Sequence, residues 1–250
     1  MSTKLPHAFK LILCDRQTHL CEAWRTELQK LIHSTLRDNS LQVEVQQATF
    51  EQMFKNTKID CVVSPANSFG LMDGGVDWYI SEAFGGPEIL VPFVQNIIEE
   101  EWSGEQNVGT SILINVDTLR EGKTNLPKYV AHTPSMRIPL RLSPNDDIVY
   151  RCTWAFLNAV KKHNHHNTID RIDTVLCTGF GTGTGRFPVD TCAKQMLLAC
   201  SNFINAPANG GSNKLSENTR SGPSPYNSYL RSWEYARAIH SEVEKVSDDS

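Results

Sequence analysis

The apolar positions of this chain change period several times, and each change marks an element. Phe9–Asp15, FKLILCD, is a nearly continuous apolar run of strand length. From Leu20 to His33 the period is helical, with Leu20, Trp24, Leu28 and Leu31 on one side. LQVEVQQA alternates like a half-buried strand, and IDCVVSPAN is a second β-rich run that ends in a turn. SFGLMDGG reads as a loop, and VDWYISEAF opens a helix. Another helix is predicted over EILVPFVQNIIEEEW, with Pro92 in its first turn. GTSILINV and YVAHTPSM read as strands. DDIVYRCTWAFLNAVKKH reads as a helix: Asp146 and Asp147 at its start and Lys161 and Lys162 at its end suit the helix dipole. The strand Ile172–Cys177, a glycine-rich loop and the helix Val189–Phe203 follow.

Strands that alternate with helices imply an α/β fold with a largely parallel sheet covered on both faces. Residues 1–204 form the expected core. Residues 205–225 are polar and rich in Gly, Ser, Asn and Pro, the composition of a flexible insertion or linker. Residues 226–250 regain helical character, with Tyr229, Trp233 and Ala236 placed to dock on the body, and a frayed end.

Length and charge narrow the class. The chain has 250 residues, 40% of them hydrophobic, and a net charge of −4. It lacks the broad basic surface of a duplex nucleic-acid binder, so no nucleic acid is expected. No apolar run reaches the roughly 20 residues of a membrane span, and the N-terminus lacks a secretory apolar region. An intracellular protein, cytoplasmic or nuclear, is expected. The seven cysteines are scattered, mostly within apolar runs, and read as buried reduced thiols. With no CxxC pair, a zinc site is not expected; no other metal and no cofactor is expected either.

Two loops lie where α/β sheets bind ligands, past the C-terminal ends of strands. SPANSFGLMDGG follows the strand that ends near Val63. TGFGTGTGRFP follows the strand that ends near Cys177. Successive glycines let backbone N–H groups approach an anion, and a following helix N-terminus adds to the attraction. Together the two loops can clasp a pyrophosphate. Glycines at i, i+2 and i+5 would mark a dinucleotide fold; from Gly179, Gly181 and Gly183 the third position is Thr184, Arg186 and Pro188. The loop has no lysine, against a Walker loop, and the chain has no GxSxG elbow.

The two loops carry a family resemblance. DCVVSPANSFGLMDGGVD, Asp60 to Asp77, resembles the first ligand loop of macro domains, and LCTGFGTGTGRFPVDTCAKQM, Leu176 to Met196, resembles their second, GTG-rich phosphate loop. YVAHTPSMRIP is similar to the strand between them. The likeness runs from about Phe9 to Phe203. It is nearest to fungal macro-domain proteins assigned as ADP-ribose 1''-phosphate phosphatases. It implies a three-layer α/β/α fold with a mixed, largely parallel sheet and a cleft for ADP-ribose. Asn67 would bond the distal ribose. Gly74, Gly75 and Val76 would line the diphosphate. Thr178, Gly179, Gly181, Thr182, Gly183, Thr184, Gly185 and Arg186 would wrap it from the other side, and Phe187 counts with the ligand-binding set. Ser64, with Pro65, stands where the family usually has Asn, and counts with the ligand-binding set. QQATF, Gln46 to Phe50, lacks the acidic residue that commonly meets adenine, and Asp73 replaces a common glycine.

Each side chain also has a plainer reading. Asn67 either holds a ribose diol or closes an Asx-turn. Asp73 either activates water against a terminal phosphate or caps the next helix. Asp77 reads as first-turn helix charge. His132 is a candidate acid or base, or packs in its strand. Cys177 ends an apolar strand and reads as packing rather than as a nucleophile. Arg186 neutralises phosphate or lies on the surface. Phe180 and Phe187 cover the ligand or fill the core. His163, His165 and His166 read as a solvated loop between helix and strand. Two functions fit: a phosphomonoesterase acting on ADP-ribose 1''-phosphate, or a module that binds ADP-ribose, free or on protein. Removal of ADP-ribose from proteins is a related possibility. Asp73 is the first candidate catalyst, followed by Asn67 and His132.

Overall fold

The computed structural model describes residues 8–34 and 40–205. The expected linker and C-terminal helix lie outside them, except that Asn205 closes the last helix. In chain order the elements are β1 (Phe9–Asp15), α1 (Thr18–Ser34), β2 (Leu41–Gln47), α2 (Phe50–Asn56), β3 (Cys61–Ser64), α3 (Gly75–Ala83), α4 (Pro87–Trp102), β4 (Ile112–Asn115), β5 (Tyr129–His132), α5 (Ile148–His166), β6 (Thr174–Cys177) and α6 (Val189–Asn205). The sheet has six strands in the order β2-β1-β6-β3-β5-β4. β4 alone runs antiparallel, against β5.

Strand side chains alternate between two separate cores. Leu11, Leu13, Cys61, Val63, Ala131, Val175 and Cys177 face one layer, built by α1, α5 and α6 around Trp24, Phe156 and Met196. Ile12, Cys14, Val62, Val130 and Leu176 face the other, with Phe54 of α2, Ile80 of α3 and Leu90 and Val94 of α4. The period of 2 in each strand places one side chain in each layer in turn. A central strand buried on both faces therefore reads as one unbroken apolar run. The fold is the three-layer α/β/α arrangement. All seven cysteines are buried thiols.

Several boundaries differ from the sequence reading. α4 starts one residue earlier, with Pro87 at its first position, so Pro92 falls inside the helix rather than in its first turn. The strand predicted over YVAHTPSM ends at His132; beyond it the chain stays tied to the end of β3 and its loop by backbone hydrogen bonds from Thr133 to Ser64 O and from Ser135 to Ala66 O and by an isolated Asn67–Met136 bridge. α2 escaped the pattern because it is 7 residues long; Thr49 and Gln52 close a capping box at its start.

α5 continues through His166, so the histidine tract is helix and not loop. Asn164 explains why. Its buried amide donates to the Ile172 carbonyl (2.7 Å) and accepts from the Ile172 N–H (2.8 Å), binding the helix end to the chain entering β6. His163 packs edge-on against Tyr129, with ring centroids 4.8 Å apart, and meets the Asp170 carbonyl. Asn164→Ala leaves two backbone groups of a fully buried residue unpaired. At about 1–3 kcal/mol for each such group, or about 2–6 kcal/mol for both, it should lower Tm by roughly 5–20 °C. Thermal unfolding monitored by circular dichroism checks this.

Candidate functional site

Parallel pairing puts the C-terminal ends of β1, β6, β3 and β5 along one edge of the sheet. The loops leaving those ends surround a cleft of about 760 Å³. That volume is in the range of small-molecule binding sites. At one end lie Asp15, Arg16 and Gln17 after β1, and Thr49 and Phe50 after β2. At the other lie Asn67, Met136 and Pro139. The middle is walled by Asp73 to Asp77 on one side and Thr178 to Gly185 on the other.

The second glycine loop is held from behind. Phe180 is buried against Phe156, and Phe187 is buried in the same core. Phe187 donates its N–H to Gly181 O, Arg186 donates to Gly183 O, and Leu142 donates to Gly185 O. Gly181 sits at φ +70°, and a Cβ there would lie 2.5 Å from Leu142 Cδ1. Among the described residues, no protein acceptor takes the N–H groups of Thr182, Gly183, Thr184 or Gly185. Across the cleft, α3 begins at Gly75 after a Gly74 N-cap that offers no side chain. Its first-turn N–H groups are open as well. These two sets of donors are arranged as a backbone nest and a helix N-terminus are, with N–H groups open toward the cleft. The positive potential of the cleft rests on backbone, because Arg16 is the one Lys or Arg among the lining residues against the acids Asp15, Glu51, Asp73 and Asp77.

Asn67 lines the cleft and also closes its own loop. Its Nδ2 donates to Leu71 O (3.1 Å) and its Oδ1 accepts from Phe69 N–H (3.0 Å). One N–H and one lone pair of the amide remain for a ligand. Asp73 is exposed on the lining and does not cap α3, since the N-cap is Gly74. Thr178 lines the cleft with its hydroxyl turned to Asp15 Oδ2 (2.7 Å).

Four residues of the sequence set do not line the cleft. Ser64 is fully buried, and its hydroxyl reaches Asp77 Oδ1 at 2.7 Å. Arg186 is exposed at φ +48°, outside the lining. Phe187 anchors the loop from within the core and does not cover a ligand. His132 is buried at the end of β5, with Nδ1 2.6 Å from Gln106 Oε1. Burial holds its imidazole down to about 4, so the ring is neutral at physiological pH. Burial also drives the Cys177 thiol well above its ordinary range, which makes it inert packing.

The sequence pattern missed Asp77 as a site residue. It lies on the cleft lining and is half-buried against Ser64. Burial pushes its carboxyl up to about 7; the Ser64 hydrogen bond opposes the rise and the negative Asp73 adds to it. A carboxyl raised to near neutrality on a cleft wall is suited to proton transfer. Asp15, Arg16 and Tyr79 were missed as well. Their neighbours in the cleft are far away in sequence.

A family model described as Macro-like domain matches residues 2–208. The chain belongs to that family. A protein-level relative is an uncharacterized protein of Aquifex aeolicus (strain VF5), 31% identical over 138 residues, covering 55% of this chain and 70% of that one. Among solved structures, the Oceanobacillus iheyensis macrodomain with ADP is 21% identical, with a TM-score of 0.48, over 60% of this chain and 72% of that one. The same organism's macrodomain with MES bound is 20% identical, with a TM-score of 0.49, over 78% and 88%. The Trypanosoma brucei macrodomain in complex with ADP-ribose is 21% identical, with a TM-score of 0.42, over 61% and 54%. In this macro-like domain the family's two loops face each other across the cleft.

Proposed function

We propose that the cleft binds ADP-ribose and hydrolyses the terminal phosphomonoester of ADP-ribose 1''-phosphate. The observation that carries this reading is the Asp77–Ser64 pair, a carboxyl that burial raises to about 7 and that is set beside two facing rows of open backbone N–H groups. The N–H rows hold the diphosphate and stabilise charge on the phosphate oxygens. The free half of the Asn67 amide meets the distal ribose. The Asp77 carboxylate takes a proton from water as the water oxygen bonds to phosphorus. The bond from phosphorus to the C1'' oxygen breaks, and that oxygen leaves as the hydroxyl of ADP-ribose after protonation by solvent. Inorganic phosphate is the second product.

Asp77 suits the base better than Asp73. Ser64 fixes the Asp77 carboxyl in one pose, whereas Asp73 is an exposed side chain without a hydrogen-bonding neighbour among the described residues. Asp73 then acts through its charge, which supports the raised Asp77 pKa.

The test is phosphate release from ADP-ribose 1''-phosphate by the pure protein, beside calorimetric titration with ADP-ribose. Turnover together with binding is expected. Tight ADP-ribose binding with no phosphate released would reduce the protein to a binding module. A protein that binds neither compound would overturn the whole reading.

A further inference from the structure

The second glycine loop ends on an arginine at a position whose backbone favours glycine. Arg186 sits at φ +48°, in the left-handed region that strains an L side chain. Two other non-glycine residues among those described share it, and each ends a helical turn. Ser103 caps α4, and Glu121 follows the 3-10 turn Asp117–Arg120. Helix ends commonly hold that conformation. Arg186 ends no helix. It follows directly on the open N–H groups of Thr182 to Gly185, so the strained position adds a cation to the end of that row.

A second arginine is tied to the first. Leu142 packs against Gly181 and Gly185 and donates its N–H to Gly185 O at 2.8 Å. Arg141 and Arg186 therefore lie on adjoining backbone, either side of one hydrogen bond. Both are exposed, and neither has an acceptor or an ion pair among the described residues. Arg120, Arg137, Arg151 and Arg171 each pair with an acid. Two neighbouring cations repel each other until an anion lies between them. Pro139, two residues before Arg141, lines the cleft at the Asn67 end. Arg16, the one lining cation, is at the opposite end.

We propose that Arg141 and Arg186 form a rim site for the terminal phosphomonoester, and so select ADP-ribose 1''-phosphate over ADP-ribose. The site rests on the proposed function and names the residues that choose its substrate. A phosphomonoester carries a charge of about −1.5 to −2 at pH 7. It has to approach a wall that holds Asp73 and Asp77, with no cation on the lining at that end. Guanidinium groups answer both needs, since their planar forks match phosphate oxygens and keep their charge. Hydrolysis removes the group they hold, so ADP-ribose leaves more readily than substrate.

The test is calorimetric titration of ADP-ribose 1''-phosphate and of ADP-ribose into the full chain. Asp77→Asn is the background, so that the substrate survives the titration. The phosphorylated ligand should bind about 30-fold tighter or more, and raising the salt to about 0.5 M should narrow that gap. Arg186→Gly relieves the backbone strain, so it should keep Tm within about two degrees while cutting the preference about tenfold. Arg141→Ala should cut it about fivefold, and Arg186→Lys should keep most of it. Affinity for ADP-ribose should move less than about twofold in all three. Equal affinity for the two ligands overturns the rim site. So does a preference that survives in the Arg141→Ala/Arg186→Gly double variant, or a loss that falls on both ligands alike. Wild-type phosphate release then still stands as the separate test of the function. A preference lost in the double variant of a protein that releases no phosphate keeps the rim site and sinks the phosphatase. Binding of neither ligand overturns both.

Discussion

Asp77→Asn is expected to lower kcat for phosphate release by about 100-fold or more while leaving ADP-ribose affinity nearly unchanged. The substitution is close to isosteric, and the new amide oxygen can still accept the Ser64 hydroxyl, so the cleft keeps its shape. What is lost is the group that accepts the proton. In the wild type, kcat/KM should rise with pH until the carboxyl is ionised, near its pKa of about 7, and then level off. The variant should show a flat profile over that range. Asp73→Asn should cost far less and move the wild-type inflection downward, since a nearby negative charge is removed. If Asp73→Asn is instead the more damaging of the two, the base has been misassigned.

The same carboxyl gives a stability signature with a definite sign. Its folded-state pKa is raised, so between about pH 4 and 7 the folded chain binds a proton that the unfolded chain has released. This group's contribution therefore worsens as pH rises through that window. The penalty is fully present above it and absent below. Asp77→Asn should be the more stable protein at pH 8, with the difference shrinking toward pH 4. Denaturant unfolding at both pH values reads this apart from catalysis.

The parts of the molecule legible in the sequence are those whose signal is local. β1 and α1 announce themselves because each buries a continuous run or a regular stripe. Both glycine loops stand out because open backbone needs small residues at consecutive positions. Asp77 was legible only as a helix-start acid, because the hydroxyl that positions it comes from Ser64, thirteen residues upstream on another element. Asp15 and Arg16 carried no local signal. β1 pairs with both β2 and β6, and only that pairing brings Asp15 against Thr178, 163 residues away. Phe187 shows the reverse: an aromatic beside a phosphate loop looks like a ligand cover, yet the loop needs an anchor in the core and Phe187 is that anchor.

Gly185→Ala should abolish tight ADP-ribose binding, lowering affinity by about 100-fold or more, and should also lower Tm. A Cβ at this position would lie 2.6 Å from the Gly181 carbonyl oxygen and 3.0 Å from two Leu142 carbons. The Leu142 side chain can turn aside, but the carbonyl cannot, because it accepts the Phe187 N–H at 3.0 Å. Phe187 is in turn held in the core. The loop must open, and the N–H groups from Thr182 to Gly185 then lose their common aim. Hydrogen bonds to a charged group contribute about 1.5–3 kcal/mol each, so misaligning two of them is enough for the loss expected. Gly183→Ala is the contrast. Nothing lies within 4 Å of its added Cβ, so the fold should hold and Tm should stay within about a degree of wild type. Differential scanning calorimetry with titration of both variants separates the two effects. Equal Tm values for Gly185→Ala and wild type would show that the backbone behind the loop is slack, and the rigid clasp would have to be abandoned.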